Sequence, residues 1–456
     1  MIQKLAPLPA GPKSSPVWQL FRYTFSPLPF LEGCARRFGD PFTLRLAGFG
    51  TLVMLADPDA ARDVFHGDPQ SLHSGEGNEF LALSVGRNSV IVLDEAPHAR
   101  QRRVLLPPLK GDRMRSYFDA MQEETRAAAR AWAPGRAVRT DEPMRAVTLR
   151  VILRAVLGRV GAAEMEAVER KVHHLLDAGR TRYGLMIVQL IARLRLQGLP
   201  YTPWTAYFRH QRDLDDSLFS LIAARRRAPA AERGDNILAD LLAATHEDGT
   251  PLTDQEIRDD VATILFAGHE TTAVALAWAL EQITARPDVM QEITEELSRV
   301  TGGGAPRADQ LHRLDYLDAA VRESLRRRTI LPFVVRLTKR PFTAGGREYP
   351  PGVLLCPCNH LVHHRPDLYP EPAAFRPERF LRRKFAGHEW FPFGGGDRTC
   401  LGMAFALYEM KVVLSTLLAE VRLERPAAWR SAPVRRGVVL APDDGARVVV
   451  REAAGR

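Results

Sequence analysis

One stretch of this chain constrains the fold more than any other: an apolar helical pattern that opens at Thr253 and persists to about Arg286. Thr253-Asp254-Gln255-Glu256 has the capping-box arrangement, with Thr253 as N-cap and Glu256 as its reciprocal partner. Apolar residues follow at helical spacing, Ile257, Val261, Ile264 and Leu265, until Pro287 ends the run. Such a helix far exceeds the mean length of ~11–12 residues. Few Lys or Asp residues interrupt its middle, so it is expected to cross the interior.

The rest of the chain fits around a helix of that kind. From about 112 to 300 most segments read as helix, among them Asp112–Trp132, Met144–Leu157 and Ala162–Ala178. Strands are expected at the edges: a hairpin over 42–56 around Gly48-Phe49-Gly50, then Phe333–Leu337 and Val353–Cys356. Val434–Arg451 reads as strand, turn at Pro442-Asp443-Asp444-Gly445, and strand. The expected class is mainly α with a minor β part, in one unit over 1–456 with a Pro-rich arm over about 1–16. The segment 183–208 is apolar and then broken by Gly198, Pro200 and Pro203. It reads either as core helix and loop or as an apolar lid over an entrance for greasy molecules.

Composition removes several classes. No apolar run reaches the ~18 residues of a membrane span, and Met1–Pro16 has no signal core. A cytoplasmic monomer is expected. Four cysteines, at 34, 356, 358 and 400, are too few for a disulfide framework and leave thiols for metal chemistry. The net charge of +9 comes without zinc-finger spacing, an aromatic nucleic-acid motif or a single basic tail, so no nucleic-acid partner is expected. It is read as a solvated Arg-rich surface or a patch for an acidic redox partner.

Two segments carry chemistry. In mid-helix lies Ala267-Gly268-His269-Glu270-Thr271-Thr272. Glycine is poor in a helix interior, and Thr hydroxyls can bond back one turn and bend the helix. The cluster is either a kinked core segment or a local widening beside a cofactor. Near the C-terminus, Phe393-Gly394-Gly395-Gly396-Asp397-Arg398-Thr399-Cys400-Leu401-Gly402 runs straight into a helix. Backbone N–H groups at a helix start favour a thiolate. Without a CxxC partner, Cys400 suits haem iron better than zinc.

Phe393, Gly396, Arg398, Cys400 and Gly402 fill every fixed place of F-x-x-G-x-R-x-C-x-G, and the chain therefore resembles the cytochrome P-450 superfamily. Glu323-Ser324-Leu325-Arg326 matches its E-x-x-R, and Phe375-Arg376-Pro377-Glu378-Arg379-Phe380 resembles its P-E-R-F segment. The resemblance implies that Glu323, Arg326 and Arg379 form a structural network. It makes Ala267–Thr272 the oxygen-activation segment, with Ala267 against the haem and Glu270 and Thr271 as the acid–alcohol pair. It also makes His98, Arg102, Arg336 and Arg398 partners of the haem propionates, and Cys400 the iron ligand, with Phe393 packed near the sulfur and Gly402 keeping the next helix close to the ring.

The resemblance, over about 30–450, implies one P-450 fold with the long central helix over the haem and the Cys-ligand loop below it. The implied cofactors are haem b and dioxygen, with NAD(P)H acting through redox partners. The implied activity is monooxygenation of a small apolar substrate, a fatty acid, terpenoid, steroid or polyketide. No flavin motif or reductase-sized extension is present, so a ferredoxin or flavodoxin with its reductase is expected to supply electrons. The walls of the substrate pocket are expected to include Ser71–Leu93, 183–208, Ala267, Leu331, Phe333, Val438 and Val439. A peroxide-driven peroxygenase and a non-enzymatic haem-thiolate sensor are the alternatives. The cluster Cys356-Pro357-Cys358-Asn359-His360 with His363 and His364 has the composition of a zinc site but cramped spacing for one.

Overall fold

The computed structural model describes residues 7–158, 161–179 and 203–453; residues 183–202 of the expected apolar lid lie outside them. The central helix spans Asp254–Thr284, and both halves of its capping box form: the Thr253 side chain accepts from Glu256 N, and Glu256 bonds back to the cap. Pro287 does more than stop it, because it opens the next helix, Pro287–Thr301, from the first turn, where its missing N–H costs nothing. The central helix is long and apolar enough to cross a membrane, but 72% of its apolar window is buried inside the protein.

Helices surround it. Asp141–Leu157 packs along it with a nearly continuous buried face of Met144, Val147, Leu149, Val151, Ile152 and Leu153. Phe118–Arg130, Pro203–Arg227 and Met403–Glu420 add the remaining helical layers. The expected helix 112–132 begins as a 3-10 segment over Gly111–Tyr117 and becomes α-helical only at Phe118.

The β part lies to one side. A five-stranded sheet orders Phe42–Leu46, Gly50–Leu55, Leu354–Pro357, Arg336–Thr338 and Leu72–His73. The expected hairpin is its first pair, in register Phe42 to Met54 and Leu46 to Gly50. The C-terminal reading needs correction. Pro433–Arg436 and Val439–Pro442 make a hairpin of their own, turning at Gly437-Val438, with Gly437 at φ 59°. The Pro442–Gly445 stretch then leads to Arg447–Ala453, which pairs in a different sheet with Ala137–Arg139 and Val421–Glu424.

The E-x-x-R residues form a buried ion-pair network. Arg326 and Glu323 are fully buried and doubly bonded, Nε to Oε2 at 2.7 Å and Nη2 to Oε1 at 2.8 Å. Arg326 also donates to His363 O at 2.7 Å and Pro372 O at 2.9 Å, and Arg379 Nε reaches Glu323 Oε1 at 3.3 Å. The partners outside the pair, His363, Pro372 and Arg379, lie on the chain that leads to the Cys400 loop, and the network ties that chain to the helix Asp315–Arg327.

Candidate functional site

Cys400 sits where the loop from Phe393 folds back. Its N–H donates to Phe393 O at 2.9 Å, and Met403 N closes the turn on Cys400 O at 3.3 Å. The glycines before it are dictated by a neighbour. A Cβ on Gly396 would lie 1.9 Å from Phe65 O, and one on Gly395 would lie 2.4 Å from the Phe65 ring. Gly394 and Gly396 also have φ of 69° and 70°, which glycine alone adopts without strain. The loop is therefore glycine-rich so that it can lie against the helix Pro58–Phe65.

The sulfur accepts from the backbone N–H groups of Gly402 and Met403, at the start of the helix Met403–Glu420. Burial nevertheless pushes its thiol above the ordinary range, and those donors with Arg102 only partly pull it back. The N–H groups at the helix start do favour the thiolate, but desolvation is the larger effect. Cys400 retains accessible surface all the same. A sulfur that accepts from two backbone N–H groups beside an arginine is suited to a metal cation, which supplies the charge that keeps a coordinating thiol deprotonated.

Arg102 lies near this sulfur, and the other cations singled out by the motif cluster with it around His98. His98 is buried, and its imidazole is driven down to about 3 by desolvation and by Arg398, Arg102 and Arg336 together. It is a neutral hydrogen-bonding group at any physiological pH. Arg336 is 4% exposed, and burial lowers it to about 10. Its guanidinium donates only to neutral oxygens, Ser74 Oγ at 3.2 Å, Val335 O at 3.0 Å and Gly395 O at 3.3 Å. Arg398 binds Asp94 Oδ1 at 2.5 Å and Leu93 O at 2.7 Å. Asp94 is itself held by Gly75 N and Glu76 N. Three arginines thus share the two carboxylates Asp94 and Asp397, an excess of positive charge that fits a ligand with acidic side arms. The donor set suits haem: one thiolate for iron, with cations and a neutral histidine for propionates.

The central helix faces the same region. Phe266, Ala267, Gly268, Glu270 and Thr271 keep accessible surface in a helix otherwise buried on either side. Thr271 Oγ1 donates to Ala267 O at 2.7 Å and Thr272 Oγ1 to Gly268 O at 2.8 Å, the back-bonding expected from the sequence. The close approach at Gly268 comes from Ile152, 3.4 Å from where a Cβ would stand. Glu270 Oε2 accepts from Arg145 Nε at 2.8 Å, and Arg145 also reaches Asp177 Oδ1 at 3.2 Å. His269 is fully buried, with Nε2 at 3.7 Å from Glu270 Oε2. Arg145 was missed in the sequence; its only signal is an arginine among the apolar residues of a helix that proves buried.

Of the expected pocket residues, Leu331 keeps 36% of its surface, whereas Phe333 packs on Tyr23. Val439 is sealed in the core with Val274 and Trp278, so Val438 alone of that pair keeps accessible surface. The cysteine–histidine cluster is spent on protein partners. The Cys356 and Cys358 thiols donate to Leu354 O and Pro332 O. His360 pairs with Glu32 at 2.9 Å, His364 bonds His360 O, and His363 Nε2 accepts from Phe391 N. Among the described residues the compact group with metal-ligand spacing is His73, Glu76 and Asp94. Lys339 and Arg398 already neutralise its carboxylates.

The family model for Cytochrome P-450 matches residues 9–446. A Mycobacterium tuberculosis protein described as "Putative cytochrome P-450 135B1" is 35% identical over 444 residues, covering 97% of this chain and 91% of that protein. Another from the same organism, "Putative cytochrome P-450 138", is 34% identical over 459 residues, 99% of this chain and 97% of its own. Among solved structures, the cytochrome P450DA heme domain superposes with a TM-score of 0.82 at 25% identity, covering 99% of this chain and 98% of its own. Retinoic acid bound cyanobacterial CYP120A1 gives 0.83 at 24%, covering 97% and 99%.

Proposed function

The chain belongs to the cytochrome P-450 family and is a haem-thiolate monooxygenase, and from that premise we propose that it oxygenates a small apolar molecule, with Cys400 as iron ligand and Glu270 and Thr271 managing protons. Haem b supplies the dioxygen chemistry, with electrons originating in NAD(P)H and passing through redox partners. What supports the ligand reading is the Cys400 sulfur, held by the backbone N–H groups of Gly402 and Met403 at a helix start with Arg102 beside it.

The protein's part is to bind, orient and move protons. His98, Arg102, Arg336 and Arg398 take the propionates, and the Arg398–Asp94 pair ties the loop that ends in Cys400 to the helix Glu95–Leu105. Thr271 Oγ1 donates to Ala267 O, which leaves its oxygen able to accept. Glu270, anchored by Arg145, relays protons toward that hydroxyl. The partly accessible stretch Phe266–Gly268 and Leu331 offers carbon rather than charge to a substrate, which favours a fatty acid, terpenoid, steroid or polyketide. A ferredoxin or flavodoxin docks on the Cys400 side, where Arg100 and Lys110 are exposed beside the helix that carries His98 and Arg102. The protein acts in the cytoplasm.

The test is the absorbance of the reduced protein with and without carbon monoxide. A strongly red-shifted Soret band that disappears in Cys400→Ala is expected; a histidine-type spectrum overturns the ligand assignment. Turnover with a redox chain but not with peroxide alone separates the monooxygenase from a peroxygenase.

A further inference from the structure

One face of the helix Pro16–Phe25 buries Gln19, Leu20 and Thr24 against the protein. The opposite face is apolar too: Val17 keeps 69% of its surface, Trp18 50% and Phe21 46%. These are three of the five large hydrophobic side chains exposed among the described residues. Scattered apolar residues on a surface are ordinary, but a contiguous group of them marks a contact. Trp18 stacks on Phe21 with ring centroids 5.1 Å apart, and Phe21 meets the half-buried Phe25 at 4.4 Å. Spacings of three and four put the rings in one row along the helix.

The row is fixed in its outward position. Gln19 Nε2 donates to Ser14 O at 2.8 Å, and Gln19 Oε1 accepts from Arg45 N at 2.9 Å. Ala47 N donates to Pro16 O at 3.3 Å, and Tyr23 packs on Phe333 at 5.7 Å. Turning the aromatic row inward would break these contacts.

Charge decides what covers the row. Residues 7–31 contain no Asp or Glu. The exposed charges that these contacts set beside the row are positive: Lys13 ahead of the helix, Arg22 next to Phe21, and Arg45, whose backbone is bonded to Gln19. A second copy seated on the same face would set those cations against their own counterparts. Three exposed side chains also offer far less than the ~800 Å2 that a stable protein interface takes from each partner. An anionic lipid surface meets both conditions. Aromatic rings settle at the boundary between headgroups and acyl chains, and Lys and Arg draw them toward acidic headgroups.

We propose that this face docks on an anionic lipid bilayer, with Val17, Trp18 and Phe21 entering the headgroup layer and Lys13, Arg22 and Arg45 on the lipid phosphates. The chain then lies on the membrane rather than across it, and the central helix keeps its place in the core. Docking of this kind is independent of which molecule the haem site oxygenates.

The experiment mixes the full-length haem-loaded protein with vesicles of phosphatidylcholine, alone or with phosphatidylglycerol, and reads the fraction that sediments with the vesicles. Binding is expected on the mixed vesicles, little on phosphatidylcholine alone, and less of both as salt rises. Trp18→Ser combined with Phe21→Ser weakens binding about tenfold. Lys13→Glu combined with Arg22→Glu removes the preference for the anionic lipid. Both double variants keep the carbon-monoxide spectrum and the thermal midpoint, because the side chains changed are exposed. Removing residues 1–6 leaves binding as it is. The proposal is overturned by equal binding to the two vesicle types, by no binding to either, by full binding of the Trp18→Ser, Phe21→Ser variant, or by loss of binding with residues 1–6. A lipid-free dimer that the Trp18→Ser, Phe21→Ser variant cannot form also overturns it, and assigns the face to a second copy.

Discussion

Arg145 Nε donates to Glu270 Oε2 at 2.8 Å, joining two helices that pack along their length. The same guanidinium reaches Asp177, in the last turn of the helix Ala162–Gly179. Arg145 is 7% exposed, so its charge is screened little by solvent. The bond holds the Glu270 carboxylate in one place.

Arg145→Gln is therefore expected to bind haem normally but to lower coupled turnover about tenfold, a fraction of the effect typical of losing general acid–base catalysis. Arg145→Lys should recover part of it. The measurement is product formed per NAD(P)H consumed, with the solvent isotope effect as the readout specific to proton delivery. An unchanged isotope effect in Arg145→Gln would mean that the arginine merely packs.

Thr271 makes a separate prediction. Its hydroxyl bonds to Ala267 O at 2.7 Å, a back-bond that contributes little to helix stability. Thr271→Ala should leave the thermal midpoint and haem content near wild type while electrons drain into hydrogen peroxide. Thr271→Ser, which keeps the hydroxyl, should restore coupling. Intact coupling in Thr271→Ala removes the assigned role.

The Glu323–Arg326 pair is a different kind of residue pair, fully buried and touching no reacting atom. Removing one partner strands a buried charge, at a cost of about 3–5 kcal/mol. Glu323→Gln and Arg326→Ala should each give little soluble haem protein, and any recovered should unfold at markedly lower urea. Wild-type yield and stability in both would show that the network does not fasten the Cys400 loop.

The features read correctly from the sequence share a property: their partners are near in the chain. Thr253 and Glu256 are three residues apart, as are Glu323 and Arg326, and local geometry brings such side chains together. The loop around Cys400 belongs with them, because its folding back is made by bonds within Phe393–Met403. What was missed depends on distant chain. Arg145 meets Glu270 across 125 residues and Arg398 meets Asp94 across 304; no periodicity encodes such pairs. The glycines before Cys400 answer to Phe65, invisible until the fold is known. The turn at Pro442–Gly445 forms as expected, but the earlier one at Gly437-Val438 was missed because its turn residues are weaker. The register of the 433–442 hairpin is set instead by packing of Val439 and Ala441 on Trp278 and Val274.

Asp260 carries the last prediction. It is buried in the central helix, with Oδ2 accepting from Gln101 on the helix that bears His98 and Arg102, and Oδ1 without a partner among the described residues. Burial raises its carboxyl well above the ordinary value; the negative charges of Asp259 and Glu256 push the same way, and the Gln101 bond only partly opposes them. A folded-state pKa above the unfolded one means that the native protein binds the proton more tightly. Asp260 therefore costs nothing below its unfolded pKa, and stability is lost as pH rises from there through the folded pKa. Asp260→Asn is neutral throughout and keeps an oxygen for Gln101. It should match wild type in thermal midpoint near pH 4 and exceed it at pH 8, with the gap opening between. A variant less stable than wild type at pH 8 would show instead that Asp260 is ionised and paired in the native state.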